Sequence, residues 1–165
     1  MNFLAHIFGL FGFIFFIGSI QVKQKNNLLI FQLIANTLYT VSYFMLGAFS
    51  AVLTNIINII RCIVFSVFDK KKSILISLVI LALLIIPFVC NSLFDLLPVV
   101  ITIIYIVSTW QDNMKIVRIF FVVAAFLWIV YNLHVGAVMP LIGNVFEIIS
   151  GILALIRFKS NKENA

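Results

Sequence analysis

The chain has 165 residues, of which 64% are hydrophobic and only 10% carry a charge. A soluble domain of this length needs far more charge on its surface, so the composition predicts a membrane protein with no room for a separate soluble domain. The 11 basic and 5 acidic residues give a net charge of +6. The basic residues lie in short clusters between apolar runs, which is typical of cytoplasmic loops and argues against a nucleic-acid-binding surface.

Seven apolar stretches can be followed along the chain, and a helix needs about 20 residues to cross a bilayer. The stretches cover residues 3–21, 28–46, 49–68, 74–91, 95–110, 116–134 and 138–158. Polar breaks separate most of them, whereas Gly47 and Gly136 mark tight turns. The first stretch has no basic residues before it and no obvious small-residue cleavage site, so we expect a permanent span rather than a signal peptide.

The positive charges predict the orientation of the spans. With the N-terminus outside, all basic residues except Arg61 fall on the cytoplasmic side: Lys23, Lys25, Lys70, Lys71, Lys72, Lys115, Arg118, Arg157, Lys159 and Lys162. This asymmetry predicts an outer N-terminus and a cytoplasmic C-terminus. Arg61 lies within the third span, about two turns from its inner end, and we expect its long side chain to extend to the cytoplasmic face.

The chain also aligns with itself at an offset of 89 residues. Residues 14–70 match residues 103–159 without a gap, with 15 identities in 57 positions. The informative matches are polar or small: Ser19 with Ser108, Gly47-Ala48 with Gly136-Ala137, and Asn55 with Asn144. An internal repeat of this kind predicts a duplicated bundle whose site lies where the two copies meet.

The repeat divides the chain into three parts. Residues 1–72 form the first three-helix repeat, residues 73–92 a linker helix, and residues 93–165 the second repeat with a cytoplasmic tail. An odd number of connecting helices lets both repeats enter the membrane from the same side. The predicted fold is therefore an all-α membrane protein of seven transmembrane helices, built as two parallel three-helix bundles.

Several short motifs carry a resemblance to known families: Leu96-Leu97-Pro98, Ser108-Thr109-Trp110, Trp128, Asn132, Gly136 and Ile156-Arg157-Phe158. Over nearly its whole length the sequence resembles the YgjV-type bacterial inner-membrane proteins, which implies the inner membrane but no defined activity. The three-one-three layout resembles that of SWEET and PQ-loop transporters. The Pro-Gln pair of PQ-loop proteins is absent, because the corresponding places read Ser19-Ile20-Gln21 and Ser108-Thr109-Trp110-Gln111.

Polar residues at membrane depth indicate where a site would lie. Glu147 falls midway along the last span, and Asn144 lies three residues earlier on the same helix face. In the first repeat the same two places are Asn55 and Asn58. The functional interpretation is a substrate site with Glu147 as a candidate proton carrier, since ionisable groups inside a membrane mark pathways. The structural alternatives are amide hydrogen bonds between packed helices and a paired or protonated carboxyl.

Two deep aromatic residues, Tyr39 and Trp128, occupy matching positions in the repeats. They either fill the core or form a flat apolar wall for a planar solute, with the asparagines as hydrogen-bonding partners. In SWEET-type transporters an Asn on each of helices three and seven and a Trp on helix six hold the substrate; Asn55, Asn144 and Trp128 fall in similar places. Second choices for the same cavity are Asn36, Tyr131 and Asn132.

The sequence contains no enzymatic or metal-binding motif. His6, His134 and Asp95 match no known spacing for a metal site, and Cys62 and Cys90 are expected to remain unpaired. Pro87, Pro98 and Pro140 weaken helices, as at the moving parts of transporters, although Pro98 and Pro140 also suit an ordinary first helical turn. We expect no enzyme activity, cofactor or metal.

Two functions from different classes remain open at this stage. The first is a small-solute transporter that works by alternating access around a polar or planar solute. The second is a non-transporting membrane interaction protein or receptor-like protein. Both have the lipid bilayer as their surroundings and no nucleic acid as a partner, and the sequence leaves homo-oligomerisation open.

Overall fold

The computed structural model describes residues 2–68, 71–89 and 92–163, and every regular element in those ranges is a helix. Cys62 is a free, buried thiol. Cys90 lies outside the described residues, as does Lys70, which contributed to the predicted orientation. The helices are α1 (Asn2–Gln21), α2 (Lys25–Met45), α3 (Phe49–Val67), α4 (Lys72–Leu84), α5 (Ile86–Val89), α6 (Leu96–Trp110, preceded by a 3₁₀ turn at Leu93–Asp95), α7 (Met114–Val135) and α8 (Val138–Glu163).

The surface of these helices is apolar, and polar and charged side chains are buried among the apolar core residues, unlike in a soluble protein. Phe3, Phe88 and Leu93 are 78%, 82% and 84% exposed, whereas Gln32 and Arg61 are fully buried. In the part of the chain that the structure describes, six segments are long and apolar enough to cross a bilayer, and Lys72–Phe88 is a shorter apolar segment. The predicted all-α membrane fold with seven helices is therefore confirmed.

The fourth apolar stretch is less regular than the sequence predicted. Instead of one helix over residues 74–91, α4 begins at Lys72 and ends at Leu84, and the short α5 follows. Pro87 explains the break, because it has no backbone N–H to donate and its ring clashes with the carbonyl of Leu83 four residues earlier. With 13 residues α4 is only about 20 Å long, at ~1.5 Å per residue.

The six long helices form a closed ring in the order α1, α2, α3, α6, α7 and α8, with α8 packed against α1. Helix α4 packs on the outside of this ring, against α6 and α3, and exposes Ile76, Ile80 and Leu84 on its far side. The ring has two seams that join the first group of helices (α1–α3) to the second group (α6–α8). One seam is α3/α6 and the other is α1/α8.

The helices that meet at each seam run in the same direction. Hydrogen bonds between α3 and the α6 region join Ser50 to Asp95, Asn58 to Thr102, and Arg61 to Thr109. At the other seam the rings of Phe13 and Phe146 lie 5.8 Å apart, and Gln21 Nε2 donates to Ser150 Oγ at 2.6 Å. Residue numbers rise together in both series, so α3 is parallel to α6 and α1 is parallel to α8.

The directions of α3 and α6 determine the path of the chain that connects them. Helix α3 ends at Val67 at one end of the ring, and Leu93 leads into α6 at the other end. The chain between them therefore crosses the whole thickness of the bundle, as a seventh span would. We call the end at which α1, α3, α6 and α8 finish the basic end, since Lys25, Lys72 and Lys115 lie there, and the other end the opposite end.

Tight turns close the opposite end between α2 and α3 and between α7 and α8. Gly47 and Gly136 have φ angles of +74° and +68°, the left-handed conformation that costs glycine little. The turn lets the amide of Ala48 bond the carbonyl of Tyr43 at 3.0 Å. Such a turn needs only a few residues, so the paired helices must pack as antiparallel neighbours.

Candidate functional site

A narrow cavity lies inside the helix ring. Its aromatic walls are Phe16, Tyr39, Tyr43, Tyr105 and Trp128. Its polar walls are Asn36, Asn55, Asn144 and Glu147, and Pro140 completes the lining. The centre of a water molecule can occupy about 20 Å³ of this space. One buried water needs ~10–15 Å³ on the same measure, so the cavity has room for one water-sized group.

The cavity brings together five of the six residues that the sequence singled out. Asn55, Asn144, Tyr39, Trp128 and Glu147 all line it. They come from four different helices of the ring, α2, α3, α7 and α8. Each is buried or partly buried, and the Glu147 side chain is only 4% exposed. Pairs 89 residues apart, such as Asn55 with Asn144 and Tyr39 with Trp128, therefore face the same space.

A chain of four hydrogen-bonded side chains ends at the carboxyl of Glu147. Tyr43 Oη donates to Asn132 Oδ1 at 2.8 Å, and Asn132 Nδ2 donates to Asn144 Oδ1 at 2.8 Å. Asn144 Nδ2 then donates to Glu147 Oε2 at 3.0 Å. We call this the polar chain. Every donor in it points toward Glu147, so the carboxyl is the final acceptor, and hydrogen bonds in such series strengthen one another.

Two buried polar atoms of the cavity lining have no hydrogen-bond partner. They are Asn55 Nδ2 and Glu147 Oε1. Within the described residues the Asn55 side chain makes no hydrogen bond, and the Glu147 carboxyl receives only the bond from Asn144. Unsatisfied buried polar groups are rare in native proteins, because each costs about 1–3 kcal/mol. Both atoms are therefore the groups with which a molecule in the cavity would bond.

The aromatic walls are packed against each other. The rings of Tyr43 and Trp128 are stacked, with centroids 5.8 Å apart and an interplanar angle of 16°. Phe16 lies between Tyr39 and Tyr105, with centroid distances of 6.4 Å and 5.9 Å. These separations are typical of favourable aromatic pairs. The walls are thus held by one another. Phe16 is inclined by 52° to both Tyr39 and Tyr105, so the five rings do not form one flat wall, and they also belong to the hydrophobic core, as the core-filling alternative expects.

Arg61 corrects a prediction, because its side chain does not extend to the cytoplasmic face. It is fully buried in the bundle. Its Nη1 donates to the carbonyl oxygen of Tyr105 and to Thr109 Oγ1, both at 3.0 Å, and its Nη2 donates to Gln32 Oε1 at 2.9 Å. Its guanidinium carbon lies 5.5 Å from the centroid of the Tyr105 ring. Neutral acceptors bond both Nη atoms and an aromatic ring lies near the guanidinium, so these groups have partners inside the bundle, whereas Nε has no hydrogen-bond partner.

Asn58 lies outside the cavity, unlike the other predicted site residues. It is fully buried, and its Nδ2 donates to Thr102 Oγ1 at 3.0 Å across the α3/α6 seam. This is the interhelical bond that the sequence left open as an alternative. Of the second choices, Asn36 lines the cavity, whereas Tyr131 bonds Ser50 at 2.7 Å. Asn132 belongs to the polar chain.

Sequence reasoning missed four residues of the cavity lining, namely Phe16, Tyr43, Tyr105 and Pro140. The offset of 89 residues pairs Phe16 with Tyr105, and it also pairs Tyr43 with Asn132. That signal was present in the sequence. It was weak because neither pair is an identity, and 18 Phe residues make aromatic matches common.

The histidines do not form a metal site with Asp95. The His134 ring stacks on Phe94 with centroids 4.2 Å apart, and Asp95 accepts hydrogen bonds from Ser50 and Ser92. Within the described ranges, no three His, Cys, Asp or Glu residues are grouped to hold a metal ion. Asp95 instead completes a capping box for the 3₁₀ turn that precedes α6, since its carboxylate also accepts from the backbone amide of Ser92 at 2.9 Å.

Comparison with known proteins gives a family for the chain. A family model described as Imp-YgjV, bacterial inner membrane protein, matches residues 3–162. No curated protein and no solved structure matches the chain significantly. The match extends over all six long helices and the whole cavity lining. The resemblance first indicated by the short sequence motifs is thereby confirmed, and this protein belongs to the Imp-YgjV family of bacterial inner membrane proteins.

Proposed function

We propose that this inner membrane protein is a carrier for a small solute, which binds in the cavity inside the helix ring. One observation carries the proposal: a buried carboxyl and a buried amide face the same narrow space, and each has an atom without a partner. Glu147 is the tenth residue of the 20-residue apolar span Val138–Arg157, and this central position supports a site near mid-membrane. Polar groups at this depth are costly, and in membrane proteins they mark solute and proton pathways.

The proposed transport cycle is alternating access, in which the two helix groups rock about the bound solute. The cavity lies between the groups, and both seams join parallel helices. We infer that the groups are two copies of one unit, with residues 1–72, 73–92 and 93–165 as first repeat, linker and second repeat. Equivalent contacts support this inference: the Ser19 and Ser108 hydroxyls bond the carbonyls of Phe16 and Tyr105, and the two glycine turns match.

We also propose that the basic end faces the cytoplasm, with the N-terminus outside. The support is the positive-inside rule, since the Lys-rich loops and the start of α7 lie at one end of the ring. Cysteines placed singly at Lys23 and at Phe49, in a Cys62→Ala/Cys90→Ala background, test this orientation. A membrane-impermeant thiol reagent on spheroplasts should label only the second site. Labelling of the Lys23 site alone would reverse the orientation.

Uptake by proteoliposomes tests the carrier proposal. The purified protein is reconstituted, and uptake of a panel of radiolabelled sugars, amino acids and amines is measured. Transport should fall at least tenfold in Asn144→Ala and in Glu147→Gln. The matched control is Asn27→Ala, because Asn27 is an exposed residue at the start of α2. Uptake that is equal in all variants would remove the proposed site, and no uptake of any solute would remove the carrier.

The second candidate is a membrane interaction protein that transports nothing. One observation favours it, namely that the cavity in this conformation is large enough for only about one water. A thermal-shift screen in detergent separates the two candidates, because a solute that binds only the folded protein raises its apparent stability. If no solute in the screen stabilises the protein, the interaction protein is the better account.

A further inference from the structure

The cavity contains one acidic group and no basic group. Glu147 is 4% exposed, and within the described residues no Lys, Arg or His bonds its carboxyl. A carboxylate that is removed from water without a cation is strongly destabilised. The carboxyl must therefore hold a proton when the cavity is empty, or a positive charge must enter with the solute.

The walls around this carboxyl suit a positive charge. Five aromatic side chains line the cavity, and the face of an aromatic ring attracts cations electrostatically. Trp128 is the strongest of them in this respect, and Tyr43 is stacked against it. An anion would meet the Glu147 carboxyl and find no basic group in the lining to pair with, so the lining selects against it.

The unsatisfied atoms define the geometry of the group that fits. Glu147 Oε1 can accept one hydrogen bond. Asn55 can offer either its oxygen or its nitrogen, because a half-turn of the amide exchanges the two. A primary ammonium group has three donors and no acceptor. Its donors match the acceptors that Glu147 Oε1 and the Asn55 oxygen offer, and aromatic side chains line the rest of the cavity. Its size is close to that of the one water-sized group for which the cavity has room.

Arg61 is the charge that would oppose a bound cation, and its position limits that effect. Its guanidinium lies on the Tyr105 ring and is bonded to Gln32 and Thr109. It does not line the cavity. Because the bound cation replaces the proton that Glu147 releases, the net charge of the bundle is the same before and after the solute binds.

The geometry points to a solute that carries a primary ammonium group, held by Glu147 as its counter-charge and exchanged for a proton. This rests on the proposed carrier function and names its substrate class. The exchange balances: R–NH₃⁺ enters, the protonated carboxyl of Glu147 releases H⁺ to water, and the ammonium–carboxylate pair remains. The ionisable groups that line the cavity beside Glu147 are Tyr39, Tyr43 and Tyr105. Arg61 does not line it, but its guanidinium lies against the Tyr105 ring.

Calorimetric binding to the purified protein in detergent tests the inference. The probe is methylammonium chloride, the neutral control of similar size is methanol, and sodium chloride keeps the ionic strength equal. Titrations in buffers of different ionisation enthalpy count the released protons. We expect saturable binding of methylammonium, a release approaching one proton per cation at a pH where the carboxyl is protonated, and at least tenfold weaker binding of methanol.

Variants show whether Glu147 is the counter-charge. Affinity for methylammonium should fall at least tenfold in Glu147→Gln and be retained within a few-fold in Glu147→Asp, with Asn27→Ala unchanged. If Glu147→Gln does not fold, the proton count of the parent protein still decides. Equal binding of methanol, or methylammonium binding without proton release, overturns the cation inference and leaves the carrier standing. Methylammonium binding with the expected proton release but no uptake into proteoliposomes refutes the carrier and keeps the cation site.

Discussion

The polar chain makes a specific prediction about stability, because its members should depend on one another. Replacing Tyr43 by Phe removes the hydroxyl that donates to Asn132 Oδ1. Asn132 is only 1% exposed, so water cannot replace this bond. Side-chain hydrogen bonds inside membrane proteins contribute ~0.6 kcal/mol on average and at most about 1.7 kcal/mol. Tyr43→Phe should therefore destabilise the protein by roughly 0.6–1.7 kcal/mol. Asn144→Ala breaks two bonds of the polar chain and should cost about twice as much.

The double variant measures the coupling. Since Tyr43 and Asn144 are joined through Asn132, the effects of the two substitutions should differ from additivity by more than about 0.5 kcal/mol. Tyr131→Phe is the matched control, because it removes the same hydroxyl from a neighbouring ring whose partner is Ser50. Tyr131 lies outside the polar chain, so its substitution combined with Asn144→Ala should be additive within about 0.3–0.5 kcal/mol.

The assay is reversible unfolding in mixed micelles, with the free energy of unfolding taken from the change in helical circular dichroism on titration with sodium dodecyl sulfate. All single and double variants are compared at one pH and one lipid-to-detergent ratio. Additive effects of Tyr43→Phe and Asn144→Ala would refute the argument that the chain acts as a unit. Equal coupling for Tyr131→Phe would show that the interaction spreads through general packing rather than through the polar chain.

Three further predictions concern packing and the seams. Gly47→Ala and Gly136→Ala should each lower the free energy of unfolding by roughly 1–2 kcal/mol, because alanine at positive φ is strained, and unfolding titrations will measure it. Gly12→Ala places a Cβ 3.0 Å from the Tyr39 ring, so overpacking should lower the free energy of unfolding by about 1–3 kcal/mol. Because Tyr39 lines the cavity, solute binding in the thermal-shift assay should also weaken. Gln21→Leu removes the bonded contact of α1 with α8 near the basic end and should destabilise by about 0.6–1.7 kcal/mol, whereas an unchanged unfolding midpoint would contradict that role.

The sequence predicts the spans and most of the site because both depend on local patterns. An apolar run of about 20 residues matches the thickness of the hydrocarbon core, so its length alone indicates a membrane-spanning helix. The Gly47 and Gly136 turns follow from residue type, since glycine occupies the left-handed conformation readily. Depth in the membrane indicates Glu147, because a polar residue at mid-membrane is costly and needs a reason, and the repeat match with Asn55 adds Asn144.

What could not be predicted depends on partners that are distant in sequence. The position of Arg61 in the sequence shows that it lies within the membrane. Whether its side chain stays buried depends on two hydrogen-bond partners, Gln32, which is 29 residues away, and Thr109, which is 48 residues away. Before the ring is assembled, extension to the cytoplasmic face is the cheaper solution for an arginine. In the assembled ring the neutral acceptors are closer, and the side chain remains inside.

The role of Tyr43 was hidden for the same reason. Its partner Asn132 is 89 residues away, and the two residue types differ, so self-alignment shows no identity there. The helix break near Pro87 could be predicted in part. The sequence shows the proline, but it does not show at which residue α4 ends. Proline ends or kinks a helix according to what its neighbours can satisfy.

The two seams of the ring differ in the kind of contact that holds them. Along α3/α6, side-chain hydrogen bonds lie at three levels, whereas α1/α8 relies largely on contacts such as Phe13 beside Gly143, with a polar contact at Gln21. Apolar surfaces slide and part without leaving polar groups bare, while a bonded seam resists this. We therefore expect α3/α6 to act as a hinge. The cost of opening the ring should be lowest along α1/α8, at the end farthest from Gln21.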